Sequence, residues 1–235
     1  MFNFVTLTPL QTAYLRKMIA LLFVQMLVLL TVVFGVHRIA PDRECLITCN
    51  FWVDILLYLI LALICFGIIF GFNDYSSSQH YWIRSAAFLV LGGLLAYVLA
   101  VQYNLMIRNS VDPATTTRNF FIALGITIFV FAIVFSALPI LLNYTSVMAY
   151  LSLILFGALL VLLILSLVMY PTHAILVLSL IVFLGYLVTD LTLLTYRCTR
   201  PNTRECDPPT GATDLYLDLI NILQKLFMLL DGRNR

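Results

Sequence analysis

The chain carries seven apolar segments, and each is about as long as a helix that crosses a membrane. A bilayer core about 30 Å thick takes roughly 20 residues of helix, and lipid cannot satisfy the backbone groups that any open structure would expose. The segments run over 18–36, 51–72, 86–106, 120–142, 147–170, 174–196 and 212–230. Only short loops separate them. We therefore predict an all-α membrane protein, a bundle of seven hydrophobic helices that forms a single polytopic domain over residues 1–235.

Composition and charge exclude other classes of protein. The 235 residues are 63% hydrophobic and 10% charged, whereas soluble domains are roughly 45–50% apolar and about 25% charged. A chain of this composition has too few polar residues to stay in solution as a soluble enzyme or as a disordered chain. The net charge of +2 provides no attraction to a nucleic-acid backbone. The predicted partner is the lipid bilayer, and no nucleic acid is expected.

The seventh segment differs from the others because it is polar. Within 212–230 it contains Asp214, Asp218, Asn221, Gln224 and Lys225, which is too much polarity for a face turned to lipid. We predict that this helix lies at the centre of the bundle, or that it is re-entrant. The distribution of Lys and Arg does not orient seven full crossings, but a re-entrant last segment would favour a cytoplasmic N-terminus.

Three aspartates in the last two segments are the candidate functional residues. An aspartate near the centre of a spanning helix costs about 2.5–3.5 kcal/mol. Asp190 lies deep in the sixth segment, and Asp214 and Asp218 are four residues apart, hence on one helix face. Asp54 lies near the start of the second segment, where an interfacial position is expected. The alternative for the three is a purely structural role, in which neighbouring hydroxyls bond them and join helices.

A pair of carboxylates in a dry interior has a defined chemistry. Both cannot ionise cheaply, so Asp190 and Asp218 would share one proton. When deprotonated, the pair offers hard oxygen ligands of the kind that Ca²⁺ prefers. The sequence predicts a proton-sensitive Ca²⁺ site at Asp190 and Asp218, with Ca²⁺ as a permeant ion and no resident cofactor.

Smaller features predict packing. Gln25 is expected to form a helix–helix hydrogen bond, and Gly92 and Gly93 are expected to let helices approach closely. Pro139 is expected to kink or end the fourth helix. The disulfide state stays open for the loop pairs Cys45 with Cys49 and Cys198 with Cys206.

Residues 214–222 resemble the signature of the Bax inhibitor motif family, whose last helix carries Leu-Tyr-Leu-Asp followed by a hydrophobic residue, Ile and Asn. The match is position for position at Tyr216, Leu217, Asp218, Ile220 and Asn221. Residues 14–17 resemble the family's Phe-Leu-Arg-Lys entry, and Asp190 stands where the family has a Tyr-Asp-Thr-Gln run. The compact loops and short tail are similar to those of the seven-span Bax-inhibitor-like proteins of cytomegaloviruses.

The resemblance implies a calcium-permeable channel or leak protein of endomembranes such as the endoplasmic reticulum. It would lower store calcium and inhibit apoptosis. By motif, Asp190 and Asp218 would form the pH-sensing pair of the ion pathway, with Asp214 as an additional acid. The polar residues that would support the pathway are Tyr216, Asn221, Gln224 and Thr189, the last of which replaces the family's tyrosine.

Three other classes of function are distinguishable. An intramembrane aspartyl protease needs a Gly-x-Gly-Asp turn, which Asp218 lacks, so no enzymatic activity is expected. A retinal protein needs a lysine deep in its last helix, and Lys225 is near that segment's end. A non-conducting viral modulator that binds host membrane proteins stays open as the alternative. The sequence does not indicate an oligomeric state.

Overall fold

The structure, a computed structural model, describes residues 6–39, 51–71, 75, 77–168 and 172–232. Over these ranges all regular structure is helical, which confirms the predicted all-α class. The helices are α1 (Pro9–Ile39), α2 (Phe51–Gly71), α3 (Ser78–Asn109), α4 (Pro113–Leu141), α5 (Thr145–Val168), α6 (His173–Arg197) and α7 (Pro208–Gly232). The Cys45 and Cys49 pair and the side chain of Asp54 lie outside what the structure describes.

The prediction of seven separate membrane-spanning helices is not confirmed. α4 and α5 join through a single 3-10 turn at Leu142–Tyr144, and the residues on either side of it, Leu141 and Thr145, both keep right-handed helical backbone angles. The segment between the predicted fourth and fifth spans contains neither Gly nor Pro, so nothing in it forces the backbone out of the helical region. Pro139 lies inside α4, and the helix continues past it to the turn.

Four helical stretches of the described residues are long and apolar enough to cross a membrane. They are Pro9–Ile39, Ser78–Asn109, Pro113–Leu165 and His173–Arg197, and Leu56–Gly71 is a shorter apolar helix. The third stretch has 53 residues, about 80 Å at 1.5 Å per residue, which is enough for two crossings of a core about 30 Å thick. The chain is therefore a multi-pass membrane protein by the length and composition of its helices.

Capping side chains explain where three helices begin. The hydroxyl of Ser77 accepts a hydrogen bond from the backbone of His80 before α3, and Thr172 does the same for Ile175 before α6. Asp207 accepts from Thr210 before α7. Each side chain satisfies an amide that has no partner within its helix.

The described residues group into two compact units, each assembled from segments distant in sequence. The first unit contains Met1–Thr12, Ala114–Thr199 and Asp214–Arg235. The second unit contains Ala13–Pro113 and Arg200–Thr213. Neither is continuous along the chain, so the single domain predicted over residues 1–235 stays a prediction.

The second unit is built on close packing of α1 against α3. The α1 face that packs inward is a stripe of buried residues, namely Tyr14, Met18, Leu22, Gln25, Leu29 and Val33. The Gln25 side chain lies against Gly92 so closely that a Cβ at Gly92 would collide with the carboxamide, while Gly93 has ordinary space around it. Gln25 is fully buried, and its polar atoms have no hydrogen-bond partner among the described residues. The prediction of a hydrogen bond at Gln25 is wrong for this part of the chain, and of the two glycines only Gly92 is a position of close approach.

The first unit has two zones of packing. α5 packs against α6 through a cluster of Leu155, Leu162 and Val182. The beginning of α4 packs against the end of α7, where the rings of Phe120 and Phe227 meet edge to face at 5.4 Å. The end of α7 is therefore packed against the beginning of α4.

Candidate functional site

The last helix brings its acids into the interior by its register. α7 begins at Pro208 and runs without a break to Gly232, so Asp214 and Asp218 are one turn apart on the same face. Asp218 is buried, with 6% of its surface exposed, and Asp214 is half-buried. The apolar residues around them face the core, with Leu215, Leu219 and Ile222 almost completely buried. Packing of Leu215, Leu219 and Ile222 in the core fixes where the acids lie.

Asp218 is a buried acid of the first unit, and one of its carboxylate oxygens lacks a donor among the described residues. Its Oδ2 atom is buried and has no hydrogen-bond partner among the described residues. The charged groups whose fields act on it are two other carboxylates, Asp190 from α6 and Asp214 from α7. A buried carboxylate oxygen without a donor and beside like charges is costly unless a proton or a cation neutralises it.

Asp190 of α6 acts electrostatically on this carboxylate. Asp190 is half-buried, and Tyr186, one turn earlier on α6, interacts electrostatically with both Asp190 and Asp218. Arg197, nearly two turns later on α6, also acts on Asp190. Asp190, Asp214 and Asp218 thus belong to one compact unit, and their pairing as a site stays a prediction.

The predicted supporting residues are not all beside the acids. Tyr216 is buried at 1% exposure, but it lies about 200° around α7 from Asp218, on a different face. Thr189 is fully buried and its hydroxyl donates to the carbonyl of Tyr186 at 3.1 Å. Asn221 lies on the acids' face and its Nδ2 donates to the carbonyl of Leu217 at 2.7 Å. Gln224 is half-buried on another face of the helix.

The acids do not form a chelating cage. Within the described ranges, no group of three or more His, Cys, Asp or Glu side chains has the geometry of a metal site. Ca²⁺ takes six to eight oxygen ligands, so two or three carboxylates would have to be completed by water or backbone carbonyls.

A buried ion pair in the second unit was missed by the sequence analysis. Arg84 of α3 donates from Nη2 to Oδ1 of Asp207 at 2.9 Å, and the two residues are 0% and 3% exposed. The other oxygen, Oδ2, accepts from the hydroxyl of Thr210 at 2.7 Å and from its amide. The Arg84 guanidinium also lies 4.5 Å from the centre of the Tyr75 ring. One signal was visible: Asp followed by Pro-Pro-Thr at 207–210 is a helix-start pattern.

A second missed contact holds the end of α7. Thr116, in the second turn of α4, donates its hydroxyl to Oδ1 of the buried Asp231 at 2.8 Å. Asn119 donates to the carbonyl of Leu230 at 3.3 Å. Asp231 therefore has a structural partner, in contrast to Asp218.

In the described part of the chain, a disulfide bond closes the loop between α6 and α7. Cys198 and Cys206 are disulfide-bonded, whereas Cys65 is a free and buried thiol within α2. No metal or catalytic role follows from these residues.

Long apolar helices, the last two of which carry one buried and two half-buried acids, define an integral, multi-pass membrane protein. The chain belongs to the family described as inhibitor of apoptosis-promoting Bax1, whose sequence model it matches over residues 11–235. Searches of the curated proteins and of the solved structures gave no match. Membership assigns the chain to a family of membrane proteins related to the inhibition of apoptosis.

Proposed function

We propose that the protein is a calcium-permeable leak protein of an endomembrane such as the endoplasmic reticulum. Asp190 and Asp218 form the cation site of the path, and Asp214 is an additional acid on the same face of α7. By lowering the calcium of the store, the leak inhibits apoptosis. The observation that carries this proposal is the buried Oδ2 of Asp218, which has no hydrogen-bond partner among the described residues and has two carboxylates as its charged neighbours.

A buried carboxylate needs a donor, a proton or a cation to compensate for its lost hydration. A purely structural aspartate is bonded by donors, as Asp231 is by Thr116. Asp218 instead keeps an unfilled acceptor in a low-dielectric interior, which costs free energy unless a cation or a proton occupies it. A site that is costly when empty and incomplete as a cage favours brief occupation, which is what conduction requires.

Protons and Ca²⁺ compete for the same oxygens in this proposal. Protonation of Asp190 or Asp218 removes the charge that attracts the cation, so acidification weakens Ca²⁺ binding at the site. The leak is thereby gated by pH through the buried pair, and no other residue has to move.

The test is calcium flux through the purified full-length chain in liposomes that enclose a calcium indicator. We expect calcium entry that depends on the protein and is absent from liposomes without it. Insertion is checked by flotation of the protein with the lipid. A correctly inserted chain that passes no calcium would overturn the proposal and favour the alternative, a non-conducting modulator that binds host membrane proteins.

A further inference from the structure

Lys225 lies on the same face of α7 as the acids. Positions 214, 218, 221 and 225 follow a spacing of four, three and four residues, which keeps them within about 60° of one another around a helix. Of the side chains at these positions, the one at 218 is buried and the other three are half-buried. We call this set, Asp214, Asp218, Asn221 and Lys225, the polar stripe. It extends about 16 Å along α7, roughly half the thickness of a bilayer core.

Helix geometry directs the Lys225 side chain toward the turn that precedes it. In an α-helix the Cα–Cβ bonds tilt toward the N-terminus, so a residue covers the turn that precedes it. At position 225 that preceding turn carries Asn221 and, one turn further, Asp218. Seven residues, about 10 Å of helix, separate Lys225 from the end of α7 at Gly232. The side chain therefore leaves the helix about two turns before its end.

Lys225 forms no salt bridge with a carboxylate among the described residues. Asn221 lies between the lysine and Asp218, and its Nδ2 is used by the carbonyl of Leu217. Carboxylate, amide and ammonium groups thus follow one another along one face of α7.

We propose that Lys225 is the electrostatic barrier of the cation path. A cation held at Asp218 has to pass the ammonium group two turns further along α7 before it leaves the polar stripe. Coulomb energy scales with the product of the charges, so the barrier for Ca²⁺ is twice that for K⁺. Lys225 sets both the size of the leak and its preference among cations. This inference rests on the proposed calcium path and adds a specificity-determining residue to it.

The experiment measures Ca²⁺ and K⁺ fluxes through the full-length chain in liposomes, with each flux normalised to inserted protein. The variants are Lys225→Gln and Lys225→Met, which remove the charge in two different ways, and Lys225→Arg, which keeps it. We expect both neutral variants to raise Ca²⁺ flux about tenfold and K⁺ flux about threefold, since a doubled barrier squares the rate factor. Lys225→Arg should keep both fluxes near those of the wild type.

The outcomes separate this inference from the function on which it rests. If the wild type conducts calcium and both neutral variants leave the two fluxes unchanged, Lys225 is no barrier and the leak still stands. If both ions change by the same factor, or if the arginine variant rises as well, the effect is structural and the barrier is refuted. A silent wild type with conducting neutral variants would support the barrier. Silence of all four proteins would overturn the barrier and the leak together.

Discussion

Substitution of Asp218 by asparagine is expected to lower calcium flux at least about tenfold while the protein still inserts. Two unit charges 4 Å apart attract by about 4 kcal/mol at the effective dielectric of a protein surface, and a change of 1.36 kcal/mol is already tenfold in rate. The amide keeps the shape of the side chain, and Asp218 has no hydrogen bond to lose at Oδ2 within the described residues. The measurement is calcium flux in liposomes at equal amounts of inserted protein.

The same substitution of aspartate by asparagine at two other positions serves as a comparison. Asp190→Asn should lower the flux by a smaller factor, because Asp190 is half-buried and Arg197 also acts on it. Asp112→Asn alters an exposed acid in the loop before α4 and should leave the flux unchanged. An Asp218→Asn protein as active as the Asp112→Asn control would exclude Asp218 from the path.

Substitution of Arg84 by methionine is expected to give the largest loss of stability. The guanidinium is fully buried and its Nη2 donates to Asp207 at 2.9 Å. Its removal leaves an uncompensated carboxylate that is 3% exposed, and breaking a buried pair in this way typically costs about 3–5 kcal/mol. The measurement is the unfolding free energy, or the shift in Tm, of the purified protein in detergent.

Two variants control for the loss of an arginine as such. Arg200→Met removes an exposed arginine, and a surface change of this kind stays within about 0.5 kcal/mol. Adding Asp207→Asn to Arg84→Met should recover much of the stability, because asparagine keeps the helix cap and removes the unpaired charge. If Arg84→Met cost no more than Arg200→Met, the buried pair would not be a stabilising element.

The helix face and the apolar segment of each acid were predictable because they follow from local information. Asp214 and Asp218 share a helix face by their spacing alone. Asp190 lies in the neighbouring apolar segment, where an ionisable residue is too costly to be accidental. The sequence could not show how many hydrogen-bond donors surround each carboxylate. Asp231 was passed over, since nothing in its own segment shows that Thr116, 115 residues earlier, bonds it.

Long-range pairing also explains the other differences. Arg84 and Asp207 are 123 positions apart, so the local capping pattern at Asp207 could be read but its buried cation could not. At Gln25 the polar character suggested a hydrogen bond, whereas the structure uses the side chain to fill the space above Gly92. The join between α4 and α5 was missed for a simpler reason. Hydropathy falls at residues 143–146, but reduced hydropathy does not end a helix unless the backbone is forced to turn.

The most direct test of the central claim is calcium binding by the purified protein as a function of pH. We predict that the wild type binds Ca²⁺ more tightly at about pH 8 than at about pH 6, because protons displace the cation from the carboxylates. The Asp190→Asn/Asp218→Asn protein should bind weakly at both pH values. A wild-type affinity that does not fall on acidification, or that survives the double substitution, would contradict the account of the buried pair as a proton-sensitive cation site.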